Sequence, residues 1–161
     1  MIAVEIVISL AVLAAGAVLI VLYLKAWNKS KSRRQAAAEA QRQRNGGQAV
    51  LEWSGPKAQG ADDPEFGELL VEIPKKRGGG SARFYRKGAD LDGRRLSYED
   101  LKDAAFAERT PALIQTPKNA AVMWLYFQKG KGSPVSLSSL TYTYEDSTMR
   151  ALQTGLGFGH P

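Results

Sequence analysis

The stretch that decides the fold class is Ile6–Leu24, IVISLAVLAAGAVLIVLYL, which has 19 residues and no charged side chain. An α-helix rises about 1.5 Å per residue, so this run would be about 28 Å long, close to the thickness of a bilayer's hydrocarbon core. A helix also satisfies its backbone hydrogen bonds internally, as a membrane interior requires. Tyr23 and Trp27 lie where amphipathic rings favour lipid headgroups. The sequence therefore predicts a transmembrane helix at residues 1–25.

A cleavable signal peptide is the alternative interpretation of this run. Such a peptide needs a basic segment in front of its apolar part, whereas the first five residues are MIAVE, with an acid and no Lys or Arg. It also needs a small-residue cleavage site, but the residues that follow the run are Lys25-Ala26-Trp27. We therefore expect the helix to be retained as an anchor.

The net charge of +6 comes from the segment that follows the apolar run. Residues 25–45 carry seven basic side chains and one acid, whereas basic and acidic residues balance in the rest of the chain. Basic residues beside a span resist translocation, which predicts the N-terminus outside and the C-terminal domain in the cytoplasm. The sequence QAAAEAQRQR favours helix, so we expect a basic juxtamembrane helix at residues 26–47, ending at Gly46-Gly47.

The basic segment has two possible roles, which do not exclude each other. It can attract anionic lipid headgroups, or its charges can simply keep an extended helix soluble. The residues predicted to contact the membrane surface are Lys25, Lys29, Lys31, Arg33 and Arg34. Because this segment accounts for the whole excess of charge, a nucleic-acid partner is not expected. Within the span, Ala11, Ala15 and Gly16 are small enough to allow close helix–helix packing.

The remainder of the chain predicts a linker at residues 48–67, a small α+β domain at residues 68–149 and a flexible tail at residues 150–161. The domain is expected to hold one antiparallel sheet of four to five strands and one helix. The alternation of apolar residues and the turn signals predict strands at Glu68–Ile73, Ala82–Lys87, Ala112–Gln115, Ala120–Phe127 and Val135–Tyr144. In the last of these, the apolar parity shifts at Ser138-Ser139, which predicts a bulge or bend.

Two further segments complete this prediction of the domain. Residues 88–95 are expected to form a polar turn. Ser97 is suited to an N-cap position, because its hydroxyl can accept an amide hydrogen bond while Glu99 and Asp100 occupy the first turn. The predicted helix begins at Ser97 and ends near Glu108.

The residue inventory argues against catalysis. The chain has no Cys, and its one His is His160. A thiolate nucleophile, a Cys-based metal site and Ser-His-Asp chemistry are therefore not expected. We predict no catalytic residue, no cofactor, no metal and no small-molecule substrate.

Two surfaces are candidates for binding. Basic residues and a run of glycines occur together in and after KKRGGGS, so an anion could contact Lys75, Lys76, Arg77, Arg83 and Arg86. The alternative is a solvated hairpin loop, and the segment lacks the strand–GxxxxGK[ST]–helix order of a nucleotide site. The second surface is aromatic, with Trp124, Tyr126 and Phe127 as candidates for docking a partner.

Taken together, these features predict a non-enzymatic single-pass membrane protein. It would act as an accessory, scaffolding or assembly subunit of a membrane complex or homo-oligomer, in contact with anionic lipid. The opening MIAVEIVISL also resembles the N-terminus of mature type IV pilins and pseudopilins. That resemblance implies the alternative function, a filament subunit with Glu5 in a helical core and a four-stranded sheet following the helix.

Overall fold

The computed structural model describes residues 2–108, 120–131 and 134–159, with the backbone alone at residues 2–7, 9 and 10. The chain divides into two units, residues 1–33 and residues 34–161. Helix α1 (Ile2–Arg44) supplies all of the first unit's described residues and the first eleven residues of the second.

The described apolar side chains of the first unit are exposed. Every residue from Ala11 to Leu24 is exposed apart from the half-buried Gly16. Tyr23 and Trp27, one helical turn apart, stack with ring centroids 6.4 Å apart. Within the described residues, α1 is the one helix that is long and apolar enough to cross a membrane. The predicted long apolar N-terminal helix is confirmed.

The second unit contains two antiparallel sheets and a second helix. The four-stranded sheet has the order β1 (Leu69–Pro74), β2 (Ser81–Tyr85), β3 (Gly88–Leu91), β4 (Arg94–Ser97). The three-stranded sheet has the order β5 (Leu101–Ala107), β6 (Val122–Phe127), β7 (Val135–Ser138), and helix α2 spans Asp146–Gly155. The α+β class is confirmed, although the strands form two sheets instead of one.

Both sheets and α2 contribute to the main core, and Phe66, Leu69 and Tyr85 form a second, smaller cluster. Alternate residues of β6 point inward, whereas in β1 Leu69, Leu70 and Val71 are all buried, where the pairing of β1 with β2 shifts register. The largest fully buried side chains are Leu51, Leu70, Ile73, Phe84, Met123, Leu125, Leu137, Met149 and Leu152. Each such aliphatic or aromatic side chain contributes about 1.5–3 kcal/mol of hydrophobic stabilisation when fully buried.

The helix predicted from Ser97 to Glu108 is wrong beyond its first turn. The Ser97 hydroxyl does accept a hydrogen bond from the Glu99 amide at 3.3 Å, but the helix that it caps is a 3-10 turn of three residues, Tyr98–Asp100. Strand β5 follows at once and pairs with β6 along its length. The apolar β6 needs a partner for its backbone, and this tertiary requirement overrides the local helix signal.

The polar turn predicted at residues 88–95 is a β-hairpin. Strands β3 and β4 are joined by Asp92-Gly93, both with positive φ, 59° and 80°. This conformation is typical of a two-residue type I′ turn, for which Asp-Gly is a preferred sequence. The side chain of Asp90 accepts a hydrogen bond from the Gly93 amide at 2.7 Å, which fixes the turn further.

The structure also differs from the predicted linker and tail. Leu51 and Phe66, both in the segment predicted as a linker, are buried, and the Glu52 amide donates to the carbonyl of Gly155 at 2.9 Å. In place of a loose tail, residues 146–155 form α2, and the chain beyond it buries Leu156 and Phe158. These apolar residues account for the order, because each has a core position to fill.

Two predicted strand features remain. The arm predicted at Val135–Tyr144 pairs with β6 as a hairpin, but strand β7 ends at Ser138, where the shift of apolar parity indicated an irregularity. A turn follows at residues 139–141. The strand predicted at Ala112–Gln115 lies outside the described residues.

Candidate functional site

The membrane-surface prediction needs one correction, at Arg34. Its Nε and Nη2 atoms donate to the two carboxylate oxygens of Asp103 at 2.9 and 3.0 Å. Both side chains are more than nine-tenths buried. Arg34 therefore belongs to the interior of the second unit and is not free to meet a headgroup. The other four residues predicted for this role, Lys25, Lys29, Lys31 and Arg33, are exposed.

Arg34 begins a buried helical face that the sequence analysis did not recognise. Ala38 and Gln41 follow at helical spacing and are also buried. Gln41 donates to the Gly155 carbonyl at 2.7 Å, and Arg42 donates to the carbonyls of Tyr98 and Leu101 at 3.1 and 3.2 Å. Residues 34–44 therefore form part of the domain's own packing. The uncharged residues Ala38 and Gln41 lie on one helical face, which could have indicated burial, but the charged residues around them favoured an exposed helix.

The small residues predicted for helix packing are accessible in the first unit. Ala11 and Ala15 are exposed and Gly16 is half-buried. Among the described residues, a Cβ atom added at Gly16 would meet nothing within 4 Å.

The predicted anion-binding set is mostly neutralised by carboxylates. Ion pairs join Lys75 to Asp92, Arg83 to Glu72 and Arg86 to Glu68 at 2.8, 3.0 and 3.0 Å. Hydrogen bonds from Ser81 and Arg83 also lower the pKa of Glu72, which keeps that carboxylate charged. The structure therefore does not gather all five basic residues around one anion. In the described part of the chain, Lys76 and Arg77 have no ion pair.

The hairpin loop that carries Lys76 and Arg77 is fixed at its base. The Lys75 amide donates to the Gly80 carbonyl at 3.1 Å, and Gly78, Gly79 and Gly80 all have positive φ, a conformation that side chains disfavour. The sharp return from β1 to β2 therefore depends on this glycine run.

The same loop lies against the turn after β7. The Lys76 amide donates to the Thr141 carbonyl at 2.9 Å, and the Thr143 amide donates to the Pro74 carbonyl at 2.8 Å. The Lys75 ammonium lies 5.9 Å from the centroid of the Tyr142 ring, and the Tyr142 hydroxyl donates to Asp92 at 2.8 Å. Two segments distant in sequence thus form one surface.

The electrostatics of Lys75, Asp92 and Tyr142 are consistent with the contact between this loop and the turn after β7. Burial raises the pKa of Tyr142 to about 12, and its hydrogen bond to Asp92 acts in the same direction. Burial opposes the ionisation of Asp92, but hydrogen bonds from Lys75 and Tyr142 outweigh it and lower the pKa of this carboxyl. At neutral pH the Asp92 carboxyl is therefore ionised and Tyr142 remains a hydrogen-bond donor.

Leu140 is the residue at this surface that sequence reasoning missed. It is 59% exposed, and within the described part of the second unit no large hydrophobic side chain is more exposed. In the sequence it lies within the strand predicted at Val135–Tyr144. The predicted irregularity at Ser138-Ser139 could have indicated its position, because a leucine that follows the end of a strand lies in a turn. We call the surface formed by Lys76, Arg77 and Leu140 the basic tip.

The aromatic docking surface is smaller than predicted. Trp124 is 38% exposed and Tyr126 is half-buried, and they share one face of β6. Phe127 is buried in the core, so its assignment to a docking surface is wrong. Alternation along the strand explains this outcome, because Phe127 follows Met123 and Leu125 inward.

The second unit also has an open groove of about 330 Å³ beside the end of α1. Its polar lining includes Gln35, Glu39, Arg42, Glu99, Lys102 and Gln128. Acids and bases alternate there, so the groove has no charge preference that would identify a ligand.

Comparison of the chain with protein-family models, with curated proteins and with solved structures found no match.

Proposed function

We propose that this chain is a single-pass membrane protein that works as a non-enzymatic accessory, scaffolding or assembly subunit of a membrane complex or homo-oligomer. The observation that supports the proposal best is the run of exposed apolar side chains from Ala11 to Leu24 in α1. A helical surface of this length and composition is stable when lipid covers it. The anchor would hold the second unit at the bilayer.

The orientation and lipid preference are part of the same proposal. Lys25, Lys29, Lys31 and Arg33 follow the apolar run and are exposed. Their charge favours retention on the cytoplasmic side and attraction to anionic headgroups, so the N-terminus would be outside. The non-enzymatic assignment is supported by the absence of Cys and by a single His in the sequence.

Membrane extraction and cysteine labelling test the proposal. Because the chain contains no Cys, Ser54→Cys gives one reactive thiol at an exposed site, and Leu22→Cys gives a matched thiol within the apolar run. We expect the chain to resist extraction by alkaline carbonate. An impermeant maleimide should label Ser54→Cys only after permeabilisation and Leu22→Cys only in detergent.

The two measurements test the membrane assignment and the orientation separately. Release of the chain by carbonate would overturn the membrane assignment. Labelling of Ser54→Cys in intact cells would overturn the orientation while leaving the anchor in place.

A filament subunit with Glu5 in a helical core is the second candidate function. The observation that favours it is the order of elements, since a four-stranded antiparallel sheet follows the long apolar helix, as the pilin resemblance implies. Electron microscopy of purified assemblies would show filaments in this case, and Glu5→Gln would disrupt them. Extraction as dispersed complexes with no filaments would exclude this function.

A further inference from the structure

We propose that the basic tip is a second membrane contact, at which Leu140 inserts among headgroups while Lys76 and Arg77 bind anionic phospholipid. This inference rests on the proposed membrane function and adds to it a lipid-binding site in the second unit, separate from the helical anchor.

Leu140 supplies the apolar part of the proposed membrane contact. Most leucines of this domain have core positions, and Leu70, Leu125, Leu137 and Leu152 are fully buried. Leu140 instead lies in a turn, and the backbone of the next residue, Thr141, donates to the Ser138 carbonyl and accepts from the Lys76 amide. An apolar side chain exposed at a fixed turn gains free energy when a bilayer interface covers it.

The charge of the surrounding surface selects an anionic bilayer as the partner. Lys76 and Arg77 have no ion pair within the described residues, whereas the nearby acid Asp92 is already paired with Lys75. The Lys76–Thr141 hydrogen bond joins the loop that carries the two cations directly to the turn that carries Leu140. Two cations beside an exposed leucine match the chemistry of anionic headgroups above acyl chains.

The glycine run leaves the loop open to that surface. Gly78, Gly79 and Gly80 are exposed, and at Gly78 and Gly79 an added Cβ would meet nothing within 4 Å. These three residues therefore add no side chain to the exposed surface beside the two cations.

The test uses the full-length chain reconstituted into vesicles and an environment-sensitive fluorophore attached at Thr141→Cys. Thr141 is exposed and lies next to Leu140. In vesicles of mixed phosphatidylcholine and phosphatidylglycerol, we expect blue-shifted emission and quenching by brominated acyl chains. Phosphatidylcholine alone should give much weaker quenching. The same fluorophore at Ser54→Cys should show neither effect.

Variants separate the two parts of the tip. The quenching gives the ratio of molecules whose basic tip contacts the bilayer to molecules whose tip does not. Replacing both cations, in K76Q/R77Q, should lower this ratio about thirty-fold, because each basic residue near an anionic surface strengthens binding about fivefold. Leu140→Gln should lower the ratio about fivefold, both in the otherwise unchanged chain and in K76Q/R77Q. The control K87Q/K102Q removes the same charge from exposed positions outside the tip and should leave the ratio unchanged.

Each other outcome is decisive. A chain that resists carbonate but shows no quenching at residue 141 keeps the proposed function and overturns this inference. A chain that carbonate releases overturns both. An emission shift that follows the protein-to-lipid ratio, and not the anionic lipid content, would indicate contact between copies of the chain and would also overturn the inference.

Discussion

At the scale of single residues, Arg34 shows why net charge is an incomplete guide to a surface. In the sequence it is one of five basic residues predicted to contact lipid headgroups. In the structure its partner is Asp103, 69 positions away, and both side chains are buried. No local pattern links these two residues. Only the pairing of β5 with β6 and the packing of α1 bring them together.

The Arg34–Asp103 ion pair should be costly to break from one side. Asp103→Ala leaves a guanidinium buried without its carboxylate, and such a loss typically costs about 3–5 kcal/mol. Arg83→Gln, which removes an exposed ion pair with Glu72, should cost less than about 1 kcal/mol. Thermal unfolding of the full chain in detergent, followed by circular dichroism, would measure both. Equal destabilisation by the two variants would contradict the buried role.

Tyr98 offers a substitution that should increase stability. Its ring is buried, and its hydroxyl has no hydrogen-bond partner among the described protein groups. Leaving a buried hydroxyl unpaired costs about 1–3 kcal/mol, so Tyr98→Phe should raise the free energy of unfolding by about 1 kcal/mol. Tyr142→Phe is the matched control and should lower it, because that hydroxyl donates to Asp92. A loss of stability in Tyr98→Phe would refute the expectation.

Stability should also fall at alkaline pH. Burial raises the pKa of Tyr142 from 10.0 to about 12, so over this range the unfolded chain ionises the phenol while the folded chain keeps it protonated. The folded state then binds more protons, and its stability decreases as pH rises, by up to about 1.4 kcal/mol per pH unit for this group. Denaturant titrations from pH 9 to pH 11 should show a shallower decline in Tyr142→Phe. An unchanged slope would mean that Tyr142 does not contribute.

At the scale of elements, the predictions succeeded where one strand's own pattern carries the information. The alternation in β1 and the apolar run of β6 identified both strands from the sequence, to within a few residues. The β3–β4 hairpin was missed although Asp92-Gly93 is a strong turn signal, because residues 88–95 were predicted as one polar turn without strands. Strand β5 was predicted as a helix because its own residues favour one, and its strand conformation depends on pairing with β6.

Helix α2 provides an element-scale prediction at Gly155. A Cβ atom there would lie 2.2 Å from the Glu52 carbonyl oxygen and 2.8 Å from a methyl carbon of Leu51. Gly155→Ala should therefore displace the end of α2 or the segment at residues 51–52 and cost about 1–3 kcal/mol, despite the better helix propensity of alanine. The exposed Ala151→Ser in the same helix should cost about 0.5 kcal/mol or less. A stabilised Gly155→Ala would show that the two segments do not pack in this way.

At the scale of the whole molecule, the sequence located the long apolar helix but not the boundary of the domain. A long uncharged run can be recognised from the sequence alone. The domain's first helical residues cannot, because they lie within a basic segment whose composition does not change where the domain begins. The candidate site shows the same division. Lys76 and Arg77 were identified from composition, but Leu140 joins them only because Lys76 bonds to Thr141 across the fold.

Truncation tests where the domain begins. A fragment of residues 34–161 retains Arg34, Ala38, Gln41 and Arg42, and we expect it to unfold in one cooperative thermal transition. A fragment of residues 46–161 leaves Asp103 as a buried charge without a partner and removes the Gln41 hydrogen bond to Gly155. It should melt at a much lower temperature, or be cleaved rapidly by protease, because a small domain has little stability in reserve. If both fragments melted alike, residues 34–44 would be an extension of the anchor, and the domain would begin after the helix, as the charge pattern first suggested.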